Sequence, residues 1–137
     1  MPEVFEHVHD ITGAEIDALG RASNVAFIQW MLEAATGHSS AQGWPAESYL
    51  ERGFGWVVRS HRIEYRRPAL PGDRIVVETW VATMDAVTSL RRYRIVRAEG
   101  RELLAEAETL WAFIDFRTGR PRRIPEEVGR AFTVVQR

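Results

Sequence analysis

The chain has 137 residues, of which 45% are hydrophobic and 27% charged, and its formal net charge at pH 7 is −1. This length and composition predict one globular domain over residues 1–137, and the near-neutral charge gives no reason to expect nucleic acid as a partner. The chain has no Cys, which excludes thiol nucleophiles, disulfides and Cys-bound zinc. It also has no Lys, since all 18 basic residues are Arg, which excludes lysine Schiff bases.

The N-terminal half predicts a strand followed by a buried helix. Moderate alternation of polar and apolar side chains indicates a strand over residues 3–11. Residues 24–36 are apolar on nearly every side of a helix, which is typical of a buried helix, and Gly37 offers a C-terminal stop. Residues 46–53 predict one or two further helical turns.

The C-terminal half predicts long strands rich in β-branched and aromatic residues, separated by turn-forming Pro, Gly and Asp residues. The strands are expected over residues 54–67, 74–84, 87–98 and 102–116. A short helix with Pro at its start is expected over residues 124–132.

This order of elements predicts an α+β architecture in which a curled antiparallel sheet of about five strands wraps around one long buried helix. Such a sheet leaves two edge strands, and pairing of edges between two copies is a common way to cover them. We therefore expect a homo-oligomer, either a dimer or a tetramer. No apolar run approaches the ~20 residues of a membrane span. The N-terminus also lacks a signal-peptide pattern, so we expect a cytoplasmic location.

Three segments match a known family in the right order and together cover most of the chain. They are EIDALGRASNVAF (15–27), IEYRRPALPGDRIVVETWV (63–81) and AEAETLWAFIDFRTGRPRRIPEE (105–127). The chain resembles the hot-dog thioesterases of the 4-hydroxybenzoyl-CoA thioesterase type and their relatives that act on long-chain acyl-CoA and acyl carrier protein. The first segment is similar to the family pattern Asp-x-x-Gly-His-x-Asn-Asn-x-x-Tyr. The resemblance implies a hot-dog fold and hydrolysis of an acyl-CoA or acyl-carrier-protein thioester, with no cofactor and no metal.

The resemblance also implies the roles of individual residues. Asp17 is the expected catalytic carboxylate, as a direct nucleophile or as a general base on water, and both routes stay open. The backbone N–H of Asn24, at the start of the buried helix, is expected to polarise the thioester carbonyl. Gly20 matches the family pattern and allows a tight turn between these two residues, while Phe27 is a near match to the Tyr. Both Gly20 and Phe27 are expected to contact the substrate.

Two residues depart from the family pattern close to the expected carboxylate. Arg21 stands where many members carry His, and Ser23 stands where many carry the first Asn. We expect both residues to lie near Asp17 and the substrate, and an Arg21–Asp17 ion pair would lower the basicity of the carboxylate. These departures also keep open a second function, that of a non-catalytic hot-dog dimer that binds an acyl chain or an acyl carrier.

Contacts to the rest of the substrate are expected from arginines and aromatic residues. Arg66 and Arg91 are candidates for binding the phosphates of coenzyme A or of a carrier protein's pantetheine arm, although solvated strand faces explain such clusters equally well. An apolar pocket is expected between the helix and the sheet of a neighbouring subunit. Its candidate lining residues, for most of which core packing is the simpler role, are Trp30, Met31, Trp56 and Trp80.

Several other patterns carry less weight. Residues 37–41 (GHSSA) only partly match the nucleophile elbow, which needs a strand–turn–helix. His7, His9 and Asp10 could bind a metal, but the sequence offers no third ligand on the face that the two histidines share. Glu33 within the helix is an alternative acid, and His61 is an ordinary strand residue.

Two further alternatives concern local structure and function. A capping box at Thr12 and Glu15 would start a helix at residue 13. A hot-dog dehydratase would need His-containing motifs, which the sequence lacks.

Overall fold

The fold is a five-stranded antiparallel sheet curled around one long helix, in a computed structural model that describes residues 3–136. The elements in chain order are β1 (Phe5–Asp10), α1 (Asn24–Ala41), α2 (Ala46–Arg52), β2 (Phe54–Tyr65), β3 (Arg74–Val81), β4 (Thr88–Arg97), β5 (Leu103–Asp115) and α3 (Glu126–Gly129). The strand order is β1-β3-β4-β5-β2, so β1 and β2 form the two edges. The predicted α+β hot-dog architecture is confirmed.

Helix α1 is five residues longer than predicted and continues through Gly37 to Ala41. A Cβ at Gly37 would lie 3.1 Å from Cε2 of the Phe5 ring, so the glycine lets β1 and α1 pack closely. This tertiary contact offsets the cost of a glycine within a helix, which is about 1 kcal/mol. Residues 37–41 are therefore helical, and the strand–turn–helix that a nucleophile elbow needs is not present there.

The buried residues of α1 recur every three or four positions and form one face against the sheet. The opposite face of α1 is not buried, since Val25 on that face is 70% exposed. The expectation of a helix buried on all sides is therefore wrong for the single chain. The buried face comprises Ala26, Phe27, Trp30, Met31, Ala34, Ala35 and His38.

The core consists of two clusters of buried side chains. The first lies under the N-terminal half of α1, where Phe27, Trp30 and Met31 pack on inward residues of β3 and β4. The second joins α2, α3 and the ends of β2 and β5 around Phe113, which is fully buried. The interior strand β3 is buried on both faces from Ile75 to Val81.

The strands are slightly shorter than predicted, because the regular pairing between neighbouring strands ends before the predicted boundaries. After β3, for example, the N–H groups of Ala82 and Thr83 both donate to the carbonyl of Leu90. The C-terminal helix is confined to Glu126–Gly129, with Pro125 preceding it. Within residues 3–136, no helix combines the length and the apolar character needed to cross a membrane.

Candidate active site

A short hairpin between β1 and α1 carries Asp17. Its two arms are joined by hydrogen bonds from the N–H of Asp17 to the carbonyl of Arg21 (2.9 Å) and from the N–H of Ser23 to the carbonyl of Glu15 (2.9 Å). The N–H of Gly20 donates to the carbonyl of Asp17 (3.0 Å) and closes the turn. Gly20 has φ of 82°, which favours glycine, so the predicted tight turn is present. The hairpin leads directly into α1.

The carboxylate of Asp17 is accessible at the surface of the single chain. Its Oδ1 accepts a hydrogen bond from the N–H of Leu19 (2.9 Å), which fixes the side chain over the turn. Within residues 3–136, Oδ2 accepts no hydrogen bond. Arg21 and Asp17 form no ion pair within the described residues, where only their backbones are hydrogen-bonded.

Helix α1 begins at Asn24, at the end of the second arm of the hairpin, whereas Asp17 lies on the first arm. Ser23 is the N-cap, and its Oγ accepts the N–H of Ala26 (3.2 Å), so this departure from the family pattern has a structural role. In the described part of the chain, the N–H groups of Asn24 and Val25 have no acceptor. Two free donors at the positive end of an 18-residue helix form a suitable place for a carbonyl oxygen that gains negative charge.

Glu15 anchors the base of the hairpin. The sequence indicated Glu15 only as a member of a capping box with Thr12. Its carboxylate accepts hydrogen bonds from the N–H of Thr12 (2.8 Å), from Nε1 of Trp30 (2.8 Å) and from Nε2 of His9 (2.9 Å). Burial raises the pKa of Glu15, but these hydrogen bonds outweigh it and lower the pKa to about 2. The alternative interpretation, a helix that starts at residue 13, is realised only as a single 3-10 turn, Gly13–Glu15.

Replacing Glu15 by Gln is expected to destabilise the fold by about 1–3 kcal/mol, because an amide offers one acceptor oxygen where three donors converge and leaves a buried donor unpaired. The folded pKa lies below the ordinary value of 4.5. Ionised Glu15 therefore stabilises the fold above pH 4.5, and this contribution is lost as the pH falls through about 2. Urea unfolding at neutral pH measures the change. The control Glu6→Gln, on the outward face of β1, should cost less than about 1 kcal/mol.

An apolar cavity of about 270 Å³ lies along the C-terminal half of α1. Its walls come from α1, α2 and the ends of the strands, and they include Ala35, Ser39, Tyr49, Trp56, Arg91 and Phe132. The hydroxyl of Tyr49 lies 3.0 Å from Nε1 of Trp56 and 3.1 Å from Oγ of Ser39, and burial raises its pKa. The cavity begins eleven residues after Asn24, about 16 Å along the helix axis.

Arg91 lies inside the protein, and its predicted position on a solvated face or at a phosphate is wrong for the single chain. The residue is 6% exposed and lines the apolar cavity. Its guanidinium is hydrogen-bonded to Oγ1 of Thr79 (3.1 Å) and lies 3.0 Å from Nδ1 of His38. Burial lowers the pKa of Arg91. Because β4 alternates between the two faces of the sheet, Arg91 points inward while Arg92 does not.

The remaining predicted residues divide between surface and core. Arg66 is half-exposed at the end of β2 and forms ion pairs with Glu64 (3.1 Å) and Glu106 (3.2 Å). Phe27 is buried under α1, with its ring 4.8 Å from that of Trp30. Of the predicted pocket residues, Trp56 lines the apolar cavity. Trp30 and Met31 are fully buried core residues, and Trp80 lines a separate charged cleft on the sheet.

The topology and the hairpin before α1 define a hot-dog protein of the thioesterase type. The chain belongs to the family of acyl-ACP thioesterase N-terminal domains, whose model matches residues 2–132. This result confirms the resemblance that the three sequence segments indicated.

Individual relatives agree with this assignment. A chloroplastic palmitoyl-acyl carrier protein thioesterase of Gossypium hirsutum is 28% identical over 131 residues, which cover 91% of this chain and 32% of that protein. The acyl-CoA thioester hydrolase YbgC of Escherichia coli is 26% identical over 118 residues, covering 86% and 87% of the two chains. The chain thus spans about a third of the plant relatives and most of the bacterial one.

A solved structure supports the fold assignment. The 1,4-dihydroxy-2-naphthoyl-CoA thioesterase of Synechocystis superposes with a TM-score of 0.86 at 24% sequence identity. The superposition covers 93% of this chain and 94% of that one, so nearly every element has a counterpart.

Proposed function

We propose that the protein hydrolyses an acyl-CoA or acyl-carrier-protein thioester to a free acid and a thiol, with Asp17 as the reacting carboxylate. The proposal depends above all on the hairpin of residues 15–23. It presents one oxygen of Asp17 without a hydrogen-bond partner in the described chain, and it leads into the N-terminus of α1, where two N–H donors are free. The thioesterase names of the matched family and relatives support the same reaction class.

In the proposed reaction, the thioester carbonyl oxygen accepts hydrogen bonds from the N–H of Asn24 and its neighbour. These donors stabilise the negative charge that develops when the carbonyl carbon becomes tetrahedral. Two routes then use Asp17. It attacks the carbon and forms an anhydride that water hydrolyses, or it accepts a proton from the attacking water. In both routes the carbon–sulfur bond breaks and the thiolate takes up a proton.

The apolar cavity is the proposed site for the far end of the acyl chain. It lies about 16 Å along α1 from the proposed oxyanion site, so within one chain only a long acyl group would reach it. Its aromatic walls suit methylene groups, each of which contributes about 0.8 kcal/mol when buried. Arg66, half-exposed and close to the sheet edge, stays a proposed contact for the phosphates of the substrate.

The proposed assembly is a homodimer or homotetramer that pairs β2 edges. Among residues 3–136, β2 is bonded to β5 on one side only, and Val57, Val58 and Tyr65 on this edge strand are 37%, 39% and 44% exposed. A twelve-residue edge strand with exposed apolar side chains favours pairing with a second copy. Because the ring of Tyr65 on β2 lies 5.1 Å from that of Phe27, such a dimer would bring a partner surface close to the start of α1.

A second candidate is a binding domain without catalytic activity. It is favoured by the two departures from the family pattern next to the proposed carboxylate, Arg21 in place of His and Ser23 in place of Asn. In that case the helix N-terminus and the cavity would hold an acyl group without cleaving it.

The test is thiol release from a panel of acyl-CoA and acyl-carrier-protein thioesters of increasing chain length, with light scattering to give the oligomeric state. We expect turnover, and a rise in kcat/KM of roughly fourfold for each methylene buried in the cavity. Turnover that is independent of chain length would exclude the cavity as the acyl site. Binding of thioesters with no turnover on the whole panel would favour the non-catalytic candidate.

A further inference from the structure

Three side chains that could bind a metal converge between β1 and α1. His7 and His9 project from the helix-facing side of β1, and Glu33 projects from α1. Nε2 of His7 lies 3.4 Å from Oε1 of Glu33, and Nδ1 of His9 lies 3.9 Å from the same oxygen. One ligand atom from each residue lies within 4.8 Å of the others. Asp10, the third residue in the sequence pattern, points to the outer face and pairs with Arg74 (2.7 Å).

The hydrogen bonds of His9 leave its other ring nitrogen free for a ligand. An ionised carboxylate only accepts hydrogen bonds, so Nε2 of His9 carries the proton that is donated to Glu15. In the neutral ring Nδ1 then holds a lone pair, and this nitrogen lies 3.9 Å from Oε1 of Glu33. A carboxylate that orients a histidine in this way is the usual outer partner of a metal-bound imidazole.

His7 provides a second, independent observation. Its Nε2 is inaccessible to solvent and makes no hydrogen bond within residues 3–136, although it lies near Glu33. A buried ring nitrogen without a hydrogen bond is unfavourable, and a metal ion would satisfy it. Glu33 is 45% exposed, so an ion can reach the cluster from solvent.

We propose that Nε2 of His7, Nδ1 of His9 and Oε1 of Glu33 form a binding site for a divalent transition-metal ion of the Zn²⁺ class. Two imidazoles and one carboxylate suit zinc and its neighbours rather than Mg²⁺. Tetrahedral coordination with bonds of about 2.0–2.1 Å spaces ligand atoms by roughly 3.4 Å, so only small side-chain movements are needed. The ion would tie the edge strand β1 to α1 and leave one coordination position for water. This site is independent of the thioesterase proposal.

The test is metal binding by purified, chelator-treated protein, measured by calorimetry with Zn²⁺ and by the visible spectrum with Co²⁺. We expect one ion per chain, the intense visible bands of tetrahedral Co²⁺, a raised unfolding temperature with Zn²⁺ and no response to Mg²⁺. Glu15→Gln should weaken binding by about 10–100-fold, the usual effect of losing an outer partner. His7→Ala and Glu33→Gln should weaken it further, and circular dichroism establishes that each variant is folded.

Matched controls separate this site from general binding by histidine. His61→Ala removes a histidine on β2 that is bonded to Thr109, and Glu6→Gln removes a carboxylate on the outer face of β1. Neither change should alter Zn²⁺ affinity. Failure of the wild type to bind Zn²⁺, or an equal loss in His7→Ala and His61→Ala, would overturn the proposal. The cluster would then be only a set of histidine–carboxylate contacts.

Discussion

Asp17→Asn is expected to lower kcat/KM for thioester hydrolysis by about 10²–10⁴-fold, the usual contribution of a general base, and by more if Asp17 is the nucleophile. The amide retains an oxygen at the Oδ1 position, so it can still accept the hydrogen bond from the N–H of Leu19. The turn should therefore keep its conformation and the free energy of unfolding should change little. A thiol-release assay across the acyl panel and urea unfolding measure the two quantities on the same preparation.

The matched control is Asp10→Asn, which changes an exposed aspartate on the outer face of β1 and leaves the hairpin untouched. It should retain wild-type activity. A wild-type rate for Asp17→Asn would disprove the proposed role of this carboxylate, whatever the activity of the protein. A single turnover in isotopically labelled water then separates the two routes, because label in the Asp17 carboxylate would arise only through an anhydride.

The order of the elements and the turn around Gly20 could be predicted because they depend on local sequence. Alternation of apolar residues indicated the strands, and the spacing from Asp17 to Asn24 indicated a carboxylate just before a helix. The end of α1 could not be predicted in the same way. Gly37 is a common stop signal, but here its missing Cβ accommodates the ring of Phe5 from a strand more than thirty positions earlier.

The parts of the site that depend on long-range packing were also inaccessible to sequence reasoning. Arg91 was expected at the surface because arginines are usually solvated. Its partners, His38 on α1 and Thr79 on β3, lie 53 and 12 positions away in the chain, and only the folded sheet and helix bring them together. Glu33 likewise became a third candidate ligand for His7 and His9 only when α1 packed on β1. Glu15 carried one usable signal, the capping-box spacing, but this spacing did not indicate the bonds to Trp30 and His9.

Phe113→Ala is expected to destabilise the fold by about 3–5 kcal/mol, the largest stability effect that we predict. Phe113 is fully buried, and its ring centre lies 4.8, 5.2 and 6.5 Å from those of Trp56, Phe54 and Tyr49. Truncation removes these contacts and leaves a void that the surrounding β-strands cannot close. The midpoint of urea unfolding, at a fixed protein concentration because an oligomer would link stability to concentration, measures the loss.

Phe116→Ala is the matched control, since it removes the same ring just beyond the end of β5, where the side chain is 40% exposed. Its cost should be clearly smaller, because less apolar surface returns to water and no closed void forms. Equal losses for the two variants would contradict the view that Phe113 holds the second core cluster together. Since Tyr49 and Trp56 also form walls of the apolar cavity, Phe113→Ala should further reduce the preference for long acyl chains while leaving the hairpin of Asp17 intact.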